Sequence, residues 1–195
     1  MKAAIALLAD YRIQNRARHM VFEMSQQAEM QFMGSLLPSH VSLKQPFAFE
    51  RMDVLETWFD SLAARIDPFE IHLDQVYYSE WNDYAILGFK VVETPLLRNL
   101  HNQINQELAA IVTDSTAPHD GDEYRFHLTV EMGKIGMINP YKTLYDSLSD
   151  KKIDFTFRAT QLAMFYYADG PIQNGSFILY RLMPMGISKE THDDR

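Results

Sequence analysis

The order of helix and strand patterns along the 195-residue chain repeats once, and this repeat limits the folds that the chain can adopt. Apolar spacing predicts a strand at 3–9, followed by the order helix, strand, helix, strand, strand, which occurs twice. The first unit covers 14–92 and the second covers 94–183. A repeat of this length predicts two similar lobes related by a pseudo-two-fold axis. Such an axis would bring equivalent positions together at a central cleft.

Local signals predict where individual elements begin. Apolar residues at helical spacing over 54–66 predict a helix, with Asp53 as its N-cap. Thr94, followed by a proline, predicts the start of a second helix, and Asn139 precedes a proline in the same way. The other predicted elements are a helix at 14–32, strands at 40–49, 69–78, 84–92 and 126–132, and paired strands at 153–166 and 177–183.

Composition narrows the classes of partner and location. The 18 basic residues against 26 acidic residues give a formal net charge of −8, which disfavours binding to long nucleic acids. The absence of cysteine excludes disulfides, thiolate metal sites and thiol nucleophiles, and it fits a reducing compartment. No signal-peptide pattern or membrane-length apolar run is present, so we expect a cytoplasmic protein with no membrane partner. We expect one bilobal domain over 1–187 and a flexible tail at 188–195.

The first strand of each unit opens with a histidine and a hydroxyl residue two positions later. The sequences are HVSL at 40–43 and HLTV at 127–130, so the histidines stand 87 positions apart. Because strand side chains alternate between faces, each histidine shares a face with its hydroxyl residue, and aliphatic neighbours point the other way. The four polar residues are His40, Ser42, His127 and Thr129.

A single tripeptide of this kind is a weak signal, because histidine, serine and threonine are common enough to produce it by chance. Here both tripeptides open equivalent strands and both have aliphatic residues at the alternate positions, while the other five histidines lack the pattern. The simpler reading is a pair of half-exposed strand residues without a shared role. The equivalence of the two positions favours a shared functional site.

The two tripeptides and the duplicated order of elements resemble the 2H phosphoesterases, the family of 2′-5′ RNA ligase-like proteins and cyclic nucleotide phosphodiesterases. The resemblance covers 1–185. It implies an α+β (α/β) fold that is bilobal and duplicated, with two antiparallel or mixed sheets flanking a central cleft and helices outside. It also implies metal-independent chemistry, without a cofactor, on a 2′,3′-cyclic phosphate or a 2′-5′ phosphodiester bond.

That chemistry suits the four polar residues. Opening a cyclic phosphate needs a base to deprotonate water and an acid to protonate the leaving ribose oxygen, and histidine can act as either near neutral pH. The hydroxyls of Ser42 and Thr129 can donate to the non-bridging phosphate oxygens. We therefore expect a phosphodiesterase, with 2′-5′ RNA ligation as the reverse reaction. The expected partner is a small cyclic nucleotide or an RNA terminus, and which histidine is the acid stays open.

Further residues near the two tripeptides are candidates for substrate binding. Arg125 could clamp a phosphate through its fork of donors, or else pair with a surface carboxylate. Lys44 would extend the polar face of the first tripeptide and contact phosphate, or else be an ordinary exposed lysine. Phe47 and Tyr11 could stack on a base at the mouth of the cleft, although core packing is the usual role of large aromatic residues.

Two acidic features bear on the ligand. Glu131 departs from the family pattern: strict alternation places it on the face of His127 and Thr129, where a carboxylate would weaken anion binding or orient a neighbour. The turn that contains His119 and Asp120 offers too few ligands at close spacing for a structural metal, so we predict no metal site.

Two other function classes remain open. The first is a non-catalytic module of the same fold that holds a nucleotide or an RNA end. The second is a structural or interaction domain, which would bind no anion and would tolerate substitution of either His40 or His127. Two paired titratable side chains favour the enzyme, because phosphate binding alone does not require them.

Overall fold

The structure, a computed structural model, describes residues 1–117, 120–167 and 177–186. The predicted tail at 188–195 and His119 lie outside these residues. In chain order the elements are β1 (Lys2–Leu8), α1 (Tyr11–Ser25), β2 (His40–Ala48), α2 (Met52–Arg65), β3 (Phe69–Trp81), β4 (Tyr84–Val91), α3 (Pro95–Leu108), a 3-10 turn (Gly121–Glu123), β5 (His127–Lys134), α4 (Pro140–Leu148), β6 (Phe155–Ala159), β7 (Gln161–Tyr167) and β8 (Phe177–Pro184).

The eight strands form one antiparallel sheet in the order β6-β3-β4-β5-β2-β1-β7-β8. Its two central strands, β5 and β2, are joined through a single residue pair, Val41 with Leu128. We call β2, β1, β7 and β8 the His40 half, and β6, β3, β4 and β5 the His127 half. The predicted α+β, duplicated, bilobal architecture is confirmed, and the two sheets of the prediction are continuous through that one pair.

Each half of the sheet combines strands from both repeat units. The hairpin β3-β4 of the first unit pairs with β5 of the second, whereas β2 lies beside β1 and the hairpin β7-β8. The prediction of one strand over 153–166 was wrong. This segment is broken at Thr160, with β6 pairing with β3 in one half and β7 with β1 in the other. Strands β6 and β7 lie far apart in the order of the sheet, but a single residue, Thr160, connects them. The sheet must therefore bend so that its two halves come close together at Thr160, and it is not flat.

One main apolar core joins the sheet to the helices. Helices α1 and α4 pack on the His127 half, and α2 and α3 pack on the His40 half. Val41 and Leu128 point into this core and are fully buried. The alternate residues of β2 and β5 therefore face away from the helices. No helix in the described ranges is long and apolar enough to cross a membrane.

Two of the predicted helix starts are confirmed by their caps. Leu97 N donates to Thr94 Oγ1 at 3.2 Å, and Lys142 N donates to Asn139 Oδ1 at 3.0 Å. The prediction for Asp53 was wrong, because α2 starts at Met52, two residues before the predicted start, and Asp53 lies in its first turn. A carboxylate in the first turn still interacts favourably with the positive end of the helix dipole.

The first helix is shorter than its sequence pattern predicts. It begins after Asp10, whose carboxylate accepts from Arg12 N and Ile13 N at 3.0 Å each. It ends at Ser25 rather than near residue 32. Residues 26–39 instead form a long loop that leads to β2, and this loop is held by contacts to β5 that no local pattern encodes.

Candidate active site

The four predicted polar residues meet at the centre of the sheet, on the face opposite the helices. The antiparallel pair of Val41 and Leu128 sets the register of the two motif strands, and both of these side chains are fully buried. Side chains on either side of them point to the other face. That register gives two neighbouring pairs, His40 with Thr129 and Ser42 with His127. The pseudo-two-fold axis passes through the single residue pair.

Both histidines are oriented in the same way by the backbone just before them. His40 Nδ1 lies 2.8 Å from Pro38 O, and His127 Nδ1 lies 3.0 Å from Arg125 O. A carbonyl oxygen can only accept, so each Nδ1 carries a hydrogen. In the neutral rings, Nε2 is then the unprotonated nitrogen. This arrangement fixes the tautomer and leaves Nε2 of both rings available for proton transfer.

The surroundings of both imidazoles favour their neutral forms. Burial lowers the pKa of His40 to about 4, the bond to the Pro38 carbonyl opposes this shift, and the charge of His127 adds to it. Burial also lowers the pKa of His127 below the ordinary 6.5, against the effect of the Arg125 carbonyl. A positive charge on His127 thus makes protonation of His40 less favourable.

Each motif strand contains a β-bulge at the third residue after its histidine. In β2 the extra residue is Leu43, and in β5 it is Val130, as the shifts of register against β1 and β4 show. A bulge reverses the alternation of the side chains that follow it. The fourth residues, Lys44 and Glu131, consequently turn to the buried side and are 1% and 0% exposed.

The predictions that placed Lys44 and Glu131 on the same face as the motifs were therefore wrong. Strict alternation holds only as far as the bulge. Lys44 Nζ instead binds the carboxylate of Asp120. The Glu131 carboxylate accepts from the backbone N–H groups of Gly34 and Ser35. Neither charged side chain is free to contact a substrate phosphate.

The other three residues predicted to bind substrate lie in different environments. Phe47 is 1% exposed and packs in the main core, so the prediction that it stacks on a base was wrong. Tyr11 is 74% exposed in the first turn of α1, and its role stays a prediction. Arg125 is exposed just before His127, and its Nη1 donates to Asp122 O at 3.0 Å. Beside the bond from Arg98, the positive charge of Arg125 contributes to lowering the pKa of Glu93, so the Arg125 guanidinium interacts with a neighbouring carboxylate.

A cavity of about 540 Å³ opens beside His127. On β4, Lys90 lies in register with His127, and its Nζ donates to Gln75 Oε1 at 2.9 Å. The ring of Tyr77 lies 5.4 Å from the His127 ring. Lys90 was not among the sequence candidates, because its position beside His127 depends on strand pairing. The lining residues are Gln45, Tyr77, Lys90, Val91, Glu93, Glu123, Tyr124, Arg125, Phe126 and His127.

The surroundings of His40 are apolar by contrast. Leu8 on β1 occupies the register position beside His40, as Lys90 does beside His127. The ring of Phe165 on β7 lies 4.5 Å from the His40 ring. Phe165 belongs to a small apolar cluster that is separate from the main core, and Leu37 packs against it. The site thus has an apolar side at His40 and a charged side at His127, where Lys90 and Arg125 stand near Glu93 and Glu123.

Two further residues that sequence reasoning missed connect the motifs. His101 on α3 is fully buried, donates from Nδ1 to Leu43 O at 2.7 Å and accepts from Gly121 N at Nε2 at 3.1 Å. Tyr124 donates its hydroxyl to Ser42 O at 3.0 Å. Burial raises the pKa of Tyr124 to about 12, so it stays a donor. Both residues tie β2 to the segment that precedes β5.

Within the described ranges, no group of three or more histidine, aspartate or glutamate side chains is placed to hold a metal ion. His119, which lies in the turn predicted to hold no metal, is outside the described residues. Metal independence of the reaction stays a prediction.

Comparison with known proteins supports the resemblance drawn from the two motifs. The sequence model of the 2′-5′ RNA ligase superfamily matches residues 14–171. A protein of Halalkalibacterium halodurans with the provisional name phosphoesterase BH1439 is 28% identical over 162 residues, which cover 78% of this chain and 82% of that protein. The membership in the 2H phosphoesterases expected from sequence is confirmed.

Solved structures share the fold at low sequence identity. TT0787 of Thermus thermophilus superposes with a TM-score of 0.63 at 10% identity, covering 95% of this chain and 98% of that one. LigT of E. coli, in complex with 3′-AMP, superposes with a TM-score of 0.54 at 12% identity, covering 94% and 97%. These structures support the architecture described above.

Proposed function

We propose that this chain, which belongs to the 2′-5′ RNA ligase superfamily, hydrolyses a 2′,3′-cyclic phosphate or a related phosphodiester at a nucleotide or RNA end. The observation that carries the proposal is the pair of histidines at the pseudo-two-fold axis, each with Nδ1 bound to a carbonyl and Nε2 available. The complex of LigT with 3′-AMP supports a ligand of nucleotide size.

In the proposed reaction, one neutral imidazole removes a proton from the attacking water through Nε2. The other imidazole, protonated, donates its Nε2 proton to the ribose oxygen as the phosphorus–oxygen bond breaks. Two groups on opposite sides of the phosphorus suit an in-line displacement, and each contributes about 10²–10⁴-fold to the rate. The carbonyls of Pro38 and Arg125 stabilise whichever ring is charged. If the 5′-hydroxyl of an RNA end attacks the phosphorus in place of water and the 3′ oxygen leaves, the same two imidazoles would carry out 2′-5′ ligation.

The hydroxyls are proposed to bind the non-bridging oxygens. The register places Ser42 beside His127 and Thr129 beside His40, so a phosphate between the histidines would lie close to both hydroxyls. Donors at these positions would stabilise charge that develops in the transition state.

The two sides of the site would orient the substrate. Lys90 and Arg125 place positive charge next to His127, and we expect an anionic group to bind there. Glu93 and Glu123 also line this cavity, and Glu93 pairs with Arg98. The apolar surroundings of His40 suit the nucleobase or the ribose. A cavity of this size fits one nucleotide better than a long nucleic acid.

The experiment is to incubate the protein with a nucleoside 2′,3′-cyclic phosphate in EDTA and to separate the products by chromatography. We expect conversion to a nucleoside monophosphate. A non-catalytic module would bind the cyclic nucleotide, as calorimetry would show, without forming product. If the protein neither turned over nor bound the cyclic nucleotide, the proposed substrate class would be contradicted.

A further inference from the structure

The buried charged residue that follows each motif binds the loop that leads to the other motif. We propose that Lys44 and Glu131 are reciprocal positioning residues: Glu131 on β5 fixes His40, and Lys44 on β2 fixes His127. The catalytic part of this inference rests on the proposed function. We call Lys44 and Glu131 the two anchor residues.

Glu131 binds the loop that precedes β2. Its Oε1 accepts from Gly34 N and from Met132 N, the latter at 2.9 Å, and its Oε2 accepts from Ser35 N at 3.2 Å. The loop lies so close to β5 that a Cβ on Gly34 would stand 2.9 Å from Glu131 Cα. A side chain at residue 34 would therefore push the loop away from the anchor residue.

The path from this contact to His40 is short. Ser39 N donates to Gln14 Oε1 at 2.7 Å, which fixes the last loop residue to α1. Pro38, just before it, supplies the carbonyl that binds His40 Nδ1 at 2.8 Å. On the other side, Leu37 N donates to Gly34 O at 3.4 Å, so a shift of the loop at Gly34 would be passed to Pro38, whose carbonyl sets the orientation and tautomer of the His40 ring.

Lys44 binds the segment that precedes β5. Its ammonium pairs with Asp120, and the same carboxylate accepts from Ala117 N at 3.0 Å. The next residue, Gly121, accepts from Arg98 Nη1 at 2.6 Å. This segment runs on to Arg125, whose carbonyl binds His127 Nδ1. Lys44 is thus connected to His127 as Glu131 is connected to His40.

The opposite charges of the two anchor residues explain their different partners. An ammonium group can only donate, so Lys44 requires an acceptor and finds a carboxylate. A carboxylate can only accept, so Glu131 requires donors and finds backbone N–H groups. Burial of a charge is costly unless it is paired, and apolar residues would fill the same space at lower cost. Two buried charges at equivalent bulged positions therefore indicate a role in positioning rather than in core packing.

The test uses Glu131→Gln and Lys44→Met, with each histidine ring followed by NMR. The nitrogen resonance of Nδ1 reports the bond to its carbonyl, and the measurement needs no substrate. We expect a crossed pattern: Glu131→Gln changes the Nδ1 resonance of His40 more than that of His127, and Lys44→Met does the reverse. With cyclic phosphate as substrate, kcat falls by about 10- to 100-fold and KM changes little, because the reacting groups are misplaced.

Matched controls remove an exposed charge of the same kind. Glu70→Gln on β3 and Lys134→Met at the end of β5 should leave both histidine rings and kcat unchanged, since both side chains are exposed. If Glu131→Gln does not fold, Gly34→Ala displaces the same loop and keeps the carboxylate. If Lys44→Met does not fold, Asp120→Asn removes the charge of its partner.

The positioning role would be overturned if each substitution changed only the histidine on its own strand, or if both histidines stayed unchanged. A crossed NMR pattern in a chain that does not hydrolyse cyclic phosphates would support the anchor residues and contradict the proposed function. Turnover of the cyclic phosphate, together with equal changes at both rings in each variant, would support the proposed function and contradict the role of the anchor residues.

Discussion

The two halves of the sheet repeat one backbone arrangement and surround it with different side chains. In both, the histidine bonds through Nδ1 to the carbonyl two residues before it, and a bulge follows at the third residue after it. The neighbouring strand, however, places Leu8 beside His40 and Lys90 beside His127. An aromatic ring stands over each histidine, Phe165 on one side and Tyr77 on the other.

The difference between the two halves indicates that proton transfer and substrate orientation depend on different residues. The shared backbone arrangement supplies two equivalent proton-transfer groups, whereas the side chains of the neighbouring strands distinguish the two ends of a substrate. We therefore expect a substitution in the shared part to have an effect of the same size whichever half it is made in. Substitutions in the neighbouring strands should affect one half only.

The largest effect is expected for the histidines themselves. His40→Ala and His127→Ala should each lower kcat by about 10²–10⁴-fold, because each removes one proton-transfer group. The double variant should be nearly as active as either single one, because the two groups act as a unit. His72→Ala, at a partly exposed histidine on β3, is the control. Full activity of either single variant would show that the two halves are not catalytically equivalent.

A smaller effect is expected for the charged side, next to His127. Lys90→Leu makes the His127 side resemble the His40 side, and KM for an anionic substrate should rise about tenfold at low salt, the scale of one charge-assisted hydrogen bond. The effect should fade at high salt, because charge interactions are screened there. Lys134→Leu, which removes an exposed lysine elsewhere, should leave KM unchanged. An unaltered KM in Lys90→Leu would contradict an anion subsite beside His127.

The smallest effect is expected for the two aromatic neighbours. Phe165→Leu reduces the apolar burial around His40, so the pKa of His40 should rise from about 4 toward 6.5. Loss of activity on the acid side should then begin at a higher pH. Tyr77→Leu is the matched change and should act on His127 instead. Titration of both rings by NMR shows which histidine changes its pKa in each variant. If both variants changed the pKa values of His40 and His127 equally, the two aromatic rings would not act on separate histidines.

The sequence predicted the site as far as regular strand alternation extends. His40 and Ser42 share a face as expected, and so do His127 and Thr129, because these stretches are unbroken strand. The prediction failed for Lys44, where a bulge reverses the faces. Bulges arise from pairing with a neighbouring strand, and a single sequence carries little signal for them.

Residues that depend on contacts between distant segments were also out of reach of the sequence. Lys90 stands beside His127 only because β4 pairs with β5, and Phe165 reaches His40 from β7. The break at Thr160, which sends β6 and β7 into different halves, has no turn residue to mark it. Helix starts at Thr94 and Asn139 were predictable, since their caps use neighbours in sequence.

The most direct test of a two-histidine reaction is the pH dependence of kcat/KM for a nucleoside 2′,3′-cyclic phosphate in EDTA. One histidine must be neutral and the other protonated, so the profile should be bell-shaped whichever ring is the base. Burial lowers the pKa of both rings below the ordinary 6.5, so the maximum should lie on the acid side of that value. A rate that keeps rising above about pH 8, or that EDTA abolishes, would contradict a reaction carried by these two histidines.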